Sequence, residues 1–137
     1  MNIGKETQKQ QENIRVCVID DEEAVLDTVE RILTSRGYEI MTLSQTVGSS
    51  QKIKEFQPHI VVVDLKMPAI EGDTLIKIFQ KTLKKYPRII VFSGVSPDEL
   101  RDIAMKNKTD DYIYKGDGYF HLLRSVNLQA MHLGMEI

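Results

Sequence analysis

His59-Ile60-Val61-Val62-Val63-Asp64 is a run of apolar residues with no alternation that stops abruptly at a carboxylate. A strand with one wet face would alternate; this run reads as a strand buried on both faces, the central position of a parallel sheet. Outward from it, four more short segments rich in Val, Ile and aromatic residues read as strands: Ile14 to Ile19, Tyr38 to Leu43, Arg88 to Phe92 and Tyr112 to Tyr114. The intervening segments carry apolar residues at helical spacing. EEAVLDTVERILTSRG, residues 22–37, places Val25, Val29, Ile32 and Leu33 on one stripe, with acids at its start and Gly37 as a left-handed stop. Val47 to Phe56 is a weaker helix signal, because Gly48, Ser49 and Ser50 come early in it, although Ile53 and Phe56 share a face and Pro58 closes it. Asp73 is expected to cap a helix carrying Leu75, Ile76, Phe79 and Leu83, and Pro97 suits the first turn of another with Leu100, Ile103 and Ala104. Asp117 is expected to open a last helix with Phe120, Leu123, Val126 and Ala130 along one side, running to about His132 before Gly134. Five strands alternating with five helices predict an α/β fold whose parallel sheet is covered on both faces.

Composition narrows the function. The chain has 137 residues, enough for one domain with a real core and too few for a second large one. With 18 Lys plus Arg against 20 Asp plus Glu and no long basic block, DNA binding by this chain alone is not expected. Cys17, the single cysteine, excludes an internal disulfide and a cysteine zinc cage; it fits a reducing compartment such as the cytoplasm and reads as a small core residue. No apolar run approaches the roughly 20 residues a membrane span needs. Residues 1–12, MNIGKETQKQQE, are polar and read as a flexible tail ahead of a domain over residues 13–134. His59, His121 and His132 lie in different elements without ligand spacing, and Met67, Met105 and Met131 read as packing residues.

In an open α/β sheet the ligand crevice lies beyond the carboxyl ends of the strands. Those ends carry Asp20 and Asp21, Asp64, Ser93 and Lys115. Three carboxylates in one crevice repel one another unless a cation neutralises them, and an oxygen-only donor set favours a hard ion such as Mg²⁺ over zinc. Ser93 and Lys115 add donors suited to phosphoryl oxygens, and Asp64 is then placed to act as nucleophile.

These residues resemble a response regulator receiver domain of two-component signalling, of the chemotaxis-regulator type. The matching motifs are the acidic pair in VCVIDDEE, Asp64 in VVVDLKMP with Gly72 beyond it, Ser93 in IIVFSG and Lys115 in DYIYK, and the likeness spans Ile14 to Leu133. The resemblance implies a flavodoxin-like five-stranded sheet of order 2-1-3-4-5 with five helices. It implies that Asp20, Asp21, Asp64 and the backbone carbonyl of Lys66 hold Mg²⁺, that Asp64 accepts the phosphoryl group, and that Ser93 and Lys115 contact its oxygens. Tyr112 matches the family's switch aromatic, which turns inward when Ser93 moves toward the phosphoryl group, and the readout surface would be the fourth helix, fifth strand and fifth helix. The implied partners are a histidine kinase or phosphotransfer protein, and a downstream protein target or an output domain outside this chain. Homodimerisation on phosphorylation is a family option. Such a domain catalyses only its own phosphorylation and slow dephosphorylation.

The sequence departs from the family pattern in places. Gly116 stands where receivers usually carry a cis proline, Gly118 loosens the same loop, and Lys108 and Thr109 replace a frequent Gly-Ala pair. Lys66 and Val95 occupy positions that border the route of attacking water and would tune aspartyl-phosphate lifetime. Two rivals are a receiver fold that docks partners without phosphorylation and an aspartyl phosphohydrolase. The hydrolase would need an acid two residues after the nucleophile, where this chain has Lys66.

Overall fold

The computed structural model describes residues 13–67, 71–83 and 87–136; the polar stretch 1–12 lies outside them. In chain order the elements are β1 (Arg15–Ile19), α1 (Glu23–Thr34), β2 (Glu39–Leu43), α2 (Ser50–Phe56), β3 (Ile60–Val63), α3 (Gly72–Thr82), β4 (Arg88–Ser93), α4 (Pro97–Lys106), β5 (Asp111–Tyr114), a 3-10 turn (Lys115–Asp117) and α5 (Tyr119–Glu136). The strands form one parallel sheet in the order β2-β1-β3-β4-β5. β3 is its centre and is buried at every position, as the unbroken run in the sequence requires.

Successive side chains of a strand point to opposite faces, and over β1, β3 and β4 both faces are packed. Val16, Val18, Ile60, Val62, Ile90 and Phe92 pack beneath α1 and α5. Cys17, Ile19, Val61, Val63, Ile89 and Val91 face Ile53 of α2, Leu75, Ile76 and Phe79 of α3 and Leu100 of α4. Cys17 is fully buried, and burial pushes its thiol up to about 12. No helix among the described residues is long and apolar enough to cross a membrane.

Several boundaries differ from the sequence reading. Asp73 does not cap α3: the N-cap is Glu71, and Asp73 lies in the first turn, where it accepts a hydrogen bond from Asn107 Nδ2 at 2.5 Å. Asp117 closes the 3-10 turn and does not open α5, whose first residue is Tyr119. Tyr119 packs its ring on Phe92 at 5.8 Å, which centres the buried stripe on Leu122, Val126 and Leu133 and turns Phe120 out to 73% exposure. The same stripe carries α5 through Gly134 to Glu136, past the expected stop at His132. α2 starts at Ser50, because the turn before it is held by Ser49 Oγ donating to the Thr46 carbonyl at 2.6 Å, with Gly48 at φ +77°.

Candidate functional site

β1 and β3 run in register, Val18 beside Val62 and Ile19 beside Val63, so their next residues, Asp20 and Asp64, emerge side by side. The Asp64 amide donates to the Ile19 carbonyl and the Asp20 amide to the Leu43 carbonyl, each at 3.1 Å, fixing both at the sheet's carboxyl edge. Both side chains are 3% exposed. Lys115 reaches them from the end of β5: its Nζ lies 2.7 Å from Asp20 Oδ2 and 3.2 Å from Asp64 Oδ2, and 5.9 Å from the centre of the Phe92 ring. The remaining carboxylate oxygens are turned by local backbone bonds. Asp20 Oδ1 accepts from the Glu22 amide at 2.9 Å, and Asp64 Oδ1 from the Lys66 amide at 3.2 Å.

The electrostatics follow from this burial. Desolvation raises the Asp20 pKa, and so does the charge of Asp64, while the hydrogen bonds from Lys115 and the Glu22 amide oppose them. Burial alone would lower the Lys115 pKa, but its hydrogen bond to Asp20 and the charges of Asp64 and Asp20 outweigh that and hold the ammonium well above the usual lysine range. Lys115 is therefore a fixed positive charge at the mouth.

Asp21 is exposed at the rim. Ser93 is fully buried at the end of β4, where its Oγ accepts from the Val95 amide at 3.4 Å. Tyr112 sits on β5 beside Val91, 39% exposed, so its ring is on the outer side of the sheet edge. The sequence reading gives Glu22 no role beyond that of an acid at the start of a helix, yet its Oε1 lies 3.3 Å from Lys115 Nζ and it completes a cluster with Asp20, Asp21 and Asp64. The hint was its place in an unbroken run of four acids, Asp20 to Glu23. Tyr114 was also overlooked. A Cβ on Gly116 would come within 2.2 Å of its ring, so the ring fills the space that a larger residue at 116 would need.

Carboxylate oxygens of Asp20, Asp21, Glu22 and Asp64 all lie within 4.8 Å of one another. Histidine and cysteine are absent from this cluster, and an oxygen-only set with an adjacent buried carboxylate fits a hard divalent cation.

A doubly wound parallel sheet of this order, with acids at the ends of β1 and β3 and a lysine at the end of β5, defines an α/β domain whose charged crevice lies at the carboxyl ends of its strands. Residues 16–127 match the family of the response regulator receiver domain, and the chain belongs to that family. It is 31% identical over 103 residues to the transcriptional regulatory protein KdpE of Mycobacterium tuberculosis (strain CDC 1551 / Oshkosh), covering 75% of this chain and 45% of that protein. It is 28% identical over 101 residues to the transcriptional regulatory protein PrrA of Mycobacterium leprae (strain TN), covering 74% of this chain and 43% of that protein. The chain thus spans under half the length of these two relatives. A CheY-like response regulator receiver domain protein from Methanospirillum hungatei JF-1 superposes with a TM-score of 0.82 at 25% identity, covering 92% of this chain and all of that one. A receiver domain from Bermanella marisrubri gives 0.76 at 26% identity, covering 87% and 99%. The fold and strand order expected from the sequence are those observed.

Proposed function

We propose that this chain is a working phosphoacceptor, with Asp64 as the residue that takes the phosphoryl group from a histidine kinase or phosphotransfer protein in the cytoplasm. The observation that carries this reading is Lys115 Nζ placed between the buried carboxylates of Asp20 and Asp64. An Asp64 oxygen forms the new O–P bond as the donor's P–N bond breaks, and the donor imidazole leaves. Lys115 neutralises charge gathering on the transferred oxygens, and Ser93 donates its hydroxyl to one of them once it turns from the Val95 amide. Asp20, Asp21, Asp64 and the Lys66 carbonyl would hold Mg²⁺, with Glu22 at the rim; when bound, Mg²⁺ offsets the negative charge of acceptor and phosphoryl group.

Ser93 gains a partner only in the phosphorylated state, so its shift vacates space toward β5 that Tyr112 can fill. Tyr112 already borders a groove of about 170 Å³ between α4 and α5, together with Pro97, Leu100 and His121. A downstream protein, or an output domain outside this chain, would read the change on α4, β5 and α5. Lys66, two residues beyond Asp64, and Val95, two beyond Ser93, stand at positions that border the route of attacking water in this family and would tune the lifetime of the phosphoryl group.

Intact mass after incubation with Mg²⁺ and acetyl phosphate tests the reading. A Mg²⁺-dependent phosphoryl adduct is expected on the parent chain and is expected to vanish in Asp64→Ala. No adduct on the parent would instead make this a phosphorylation-independent docking module, and Gly116 with the Tyr114 ring against it would be the first residues to exchange.

A further inference from the structure

Lys115 is the cation between the two buried acids, and it opens a glycine-rich turn. Gly116 lies in the middle of the 3-10 turn Lys115–Asp117, and Gly118 follows it at φ +94°. Glycine loses more freedom on ordering than any other residue, and the flexible four-carbon stem of a lysine adds rotamer freedom of its own. Yet the Lys115 side chain is only 16% exposed, with its Nζ 2.7 Å from Asp20 Oδ2. One backbone bond closes the turn, from the Gly118 amide to the Lys115 carbonyl at 3.1 Å, and it ties the turn to itself and not to the sheet.

A second constraint comes from the residue before the lysine. A Cβ on Gly116 would lie 2.8 and 2.9 Å from Cζ and Cδ2 of the Tyr114 ring and closer still to Cε2, so the ring edge occupies the place of a side chain at 116. The same ring is half-buried and packs on the core layer that includes Val91, Val95 and Leu100. It is thus held by the core on one side and abuts the turn on the other. Lys115 runs toward the opposite layer, where its Nζ lies 5.9 Å from the centre of the Phe92 ring. Tyr114 also pairs in register with Ser93, so it stands beside one polar group of the crevice and directly before the other.

We propose that Tyr114 is a positioning residue, whose ring, wedged between the core and Gly116, fixes the turn that delivers the Lys115 ammonium between Asp20 and Asp64. Gly116 is the other half of the device, since only a residue without a side chain leaves the ring its place. The contact is made by ring carbons, so the phenolic hydroxyl is not required. The consequence for phosphorylation rests on the reading of Asp64 as phosphoryl acceptor; the placement of Lys115 does not.

Two measurements on the full chain test this. The first, made without Mg²⁺ or phosphoryl donor, is the 1H–15N correlation of the Lys115 ammonium, seen only while hydrogen-bonded partners slow the exchange of its protons and identified by its loss in Lys115→Arg. The signal is expected in the parent and in Tyr114→Phe. It is expected to vanish in Tyr114→Ala, which removes the ring, and in Gly116→Ala, whose methyl displaces it. The second is the rate of adduct formation at saturating Mg²⁺ and acetyl phosphate. Tyr114→Ala and Gly116→Ala are each expected to slow it about ten- to hundredfold, the loss that follows when a reacting group is misplaced by about 1 Å. Tyr114→Phe is expected to retain the parent's rate, and the Tyr114→Ala/Gly116→Ala double variant to be no slower than the slower single one, because both remove the same contact. Mg²⁺ affinity, followed by amide shifts in β1 and β3, is not weakened in these variants, since those strands hold the acids; a variant that had merely lost its fold would lose it. The proposal is overturned by an ammonium signal absent from the parent or persisting in Tyr114→Ala, by Tyr114→Phe behaving as Tyr114→Ala, by single losses that add, or by Mg²⁺ affinity falling in step with the rate. Should no chain, parent included, form the adduct, the reading of Asp64 fails, and the ammonium signal still decides the role of Tyr114.

Discussion

Gly72 sets how closely α3 approaches the loop that carries Asp64. A Cβ there would lie 2.5 Å from Leu65 Cα, 2.8 Å from Leu65 Cδ2 and 3.0 Å from the Asp64 carbonyl oxygen. Helix propensity alone would favour Ala over Gly by about 1 kcal/mol. Contact with backbone reverses the sign, because Leu65 Cα cannot retreat without carrying Asp64 away from Lys115. Gly72→Ala is therefore expected to cost about 1–3 kcal/mol in urea denaturation and to slow Asp64 phosphorylation, and a gain in stability would show that α3 can slide away freely. Lys115 answers a different need. Asp20 and Asp64 are both 3% exposed beside each other, and only a cation in the mouth makes two such carboxylates tolerable. The three carboxylates read from the strand ends imply that need for a cation, whereas Glu22, which closes the cluster from an exposed position, is hidden behind the simpler role of an acid before a helix.

The elements were legible where burial decided them and less so where side chains met locally. All five strands were found to within about two residues, since each is a short apolar run between polar turns. The misplaced points are helix termini, the starts of α3 and α5 and the stop of α5. Asp73 has the chemistry of a cap, but Asn107 Nδ2 and the Lys77 and Lys106 ammonium groups, at 3.9 and 3.8 Å, claim its carboxylate, contacts no local pattern reveals. Phe120 has core chemistry, but Tyr119 takes the inward position, packing its ring at a tilt against Phe92. The end of α4 shows a departure that was legible. Lys108, one of the positions where a Gly-Ala pair is frequent, has φ +53°, and the closing bonds run from its amide to the Met105 carbonyl at 3.2 Å and from the Thr109 amide to the Ala104 carbonyl at 3.1 Å. A lysine in this left-handed conformation is strained in a way glycine is not. Lys108→Gly is expected to stabilise the fold by about 0.5–1 kcal/mol, net of the greater freedom of glycine in the unfolded chain, with an unchanged denaturant slope. Destabilisation would mean that the lysine side chain holds α4 in a way its exposure does not suggest.

At the scale of the molecule, the acids sit at the ends of β1 and β3, and these two strands send side chains into both core layers. Asp20 and Asp64 can separate only if β1 parts from β3, and that opens Val16, Val18, Ile60 and Val62 on one face and Cys17, Ile19, Val61 and Val63 on the other. A cation held at this site therefore stabilises against global unfolding and not against a local opening. Anything that binds only the folded state adds RT ln(1 + [L]/Kd), about 1.4 kcal/mol at ten times Kd. Mg²⁺ at that ratio is expected to raise the unfolding free energy by this amount, and to slow amide hydrogen exchange in β1 and β3 by about tenfold, the same increment in both strands. Amides in the last turns of α5 report fraying and not global opening, so they are expected to exchange at the same rate with and without Mg²⁺. Asp64→Ala removes a buried carboxylate from the cluster and should abolish the Mg²⁺ increment in both strands together. Protection gained in β1 but not β3 would mean that the cation is held by the β1 acids alone, and would break the link between the sheet's core and Asp64.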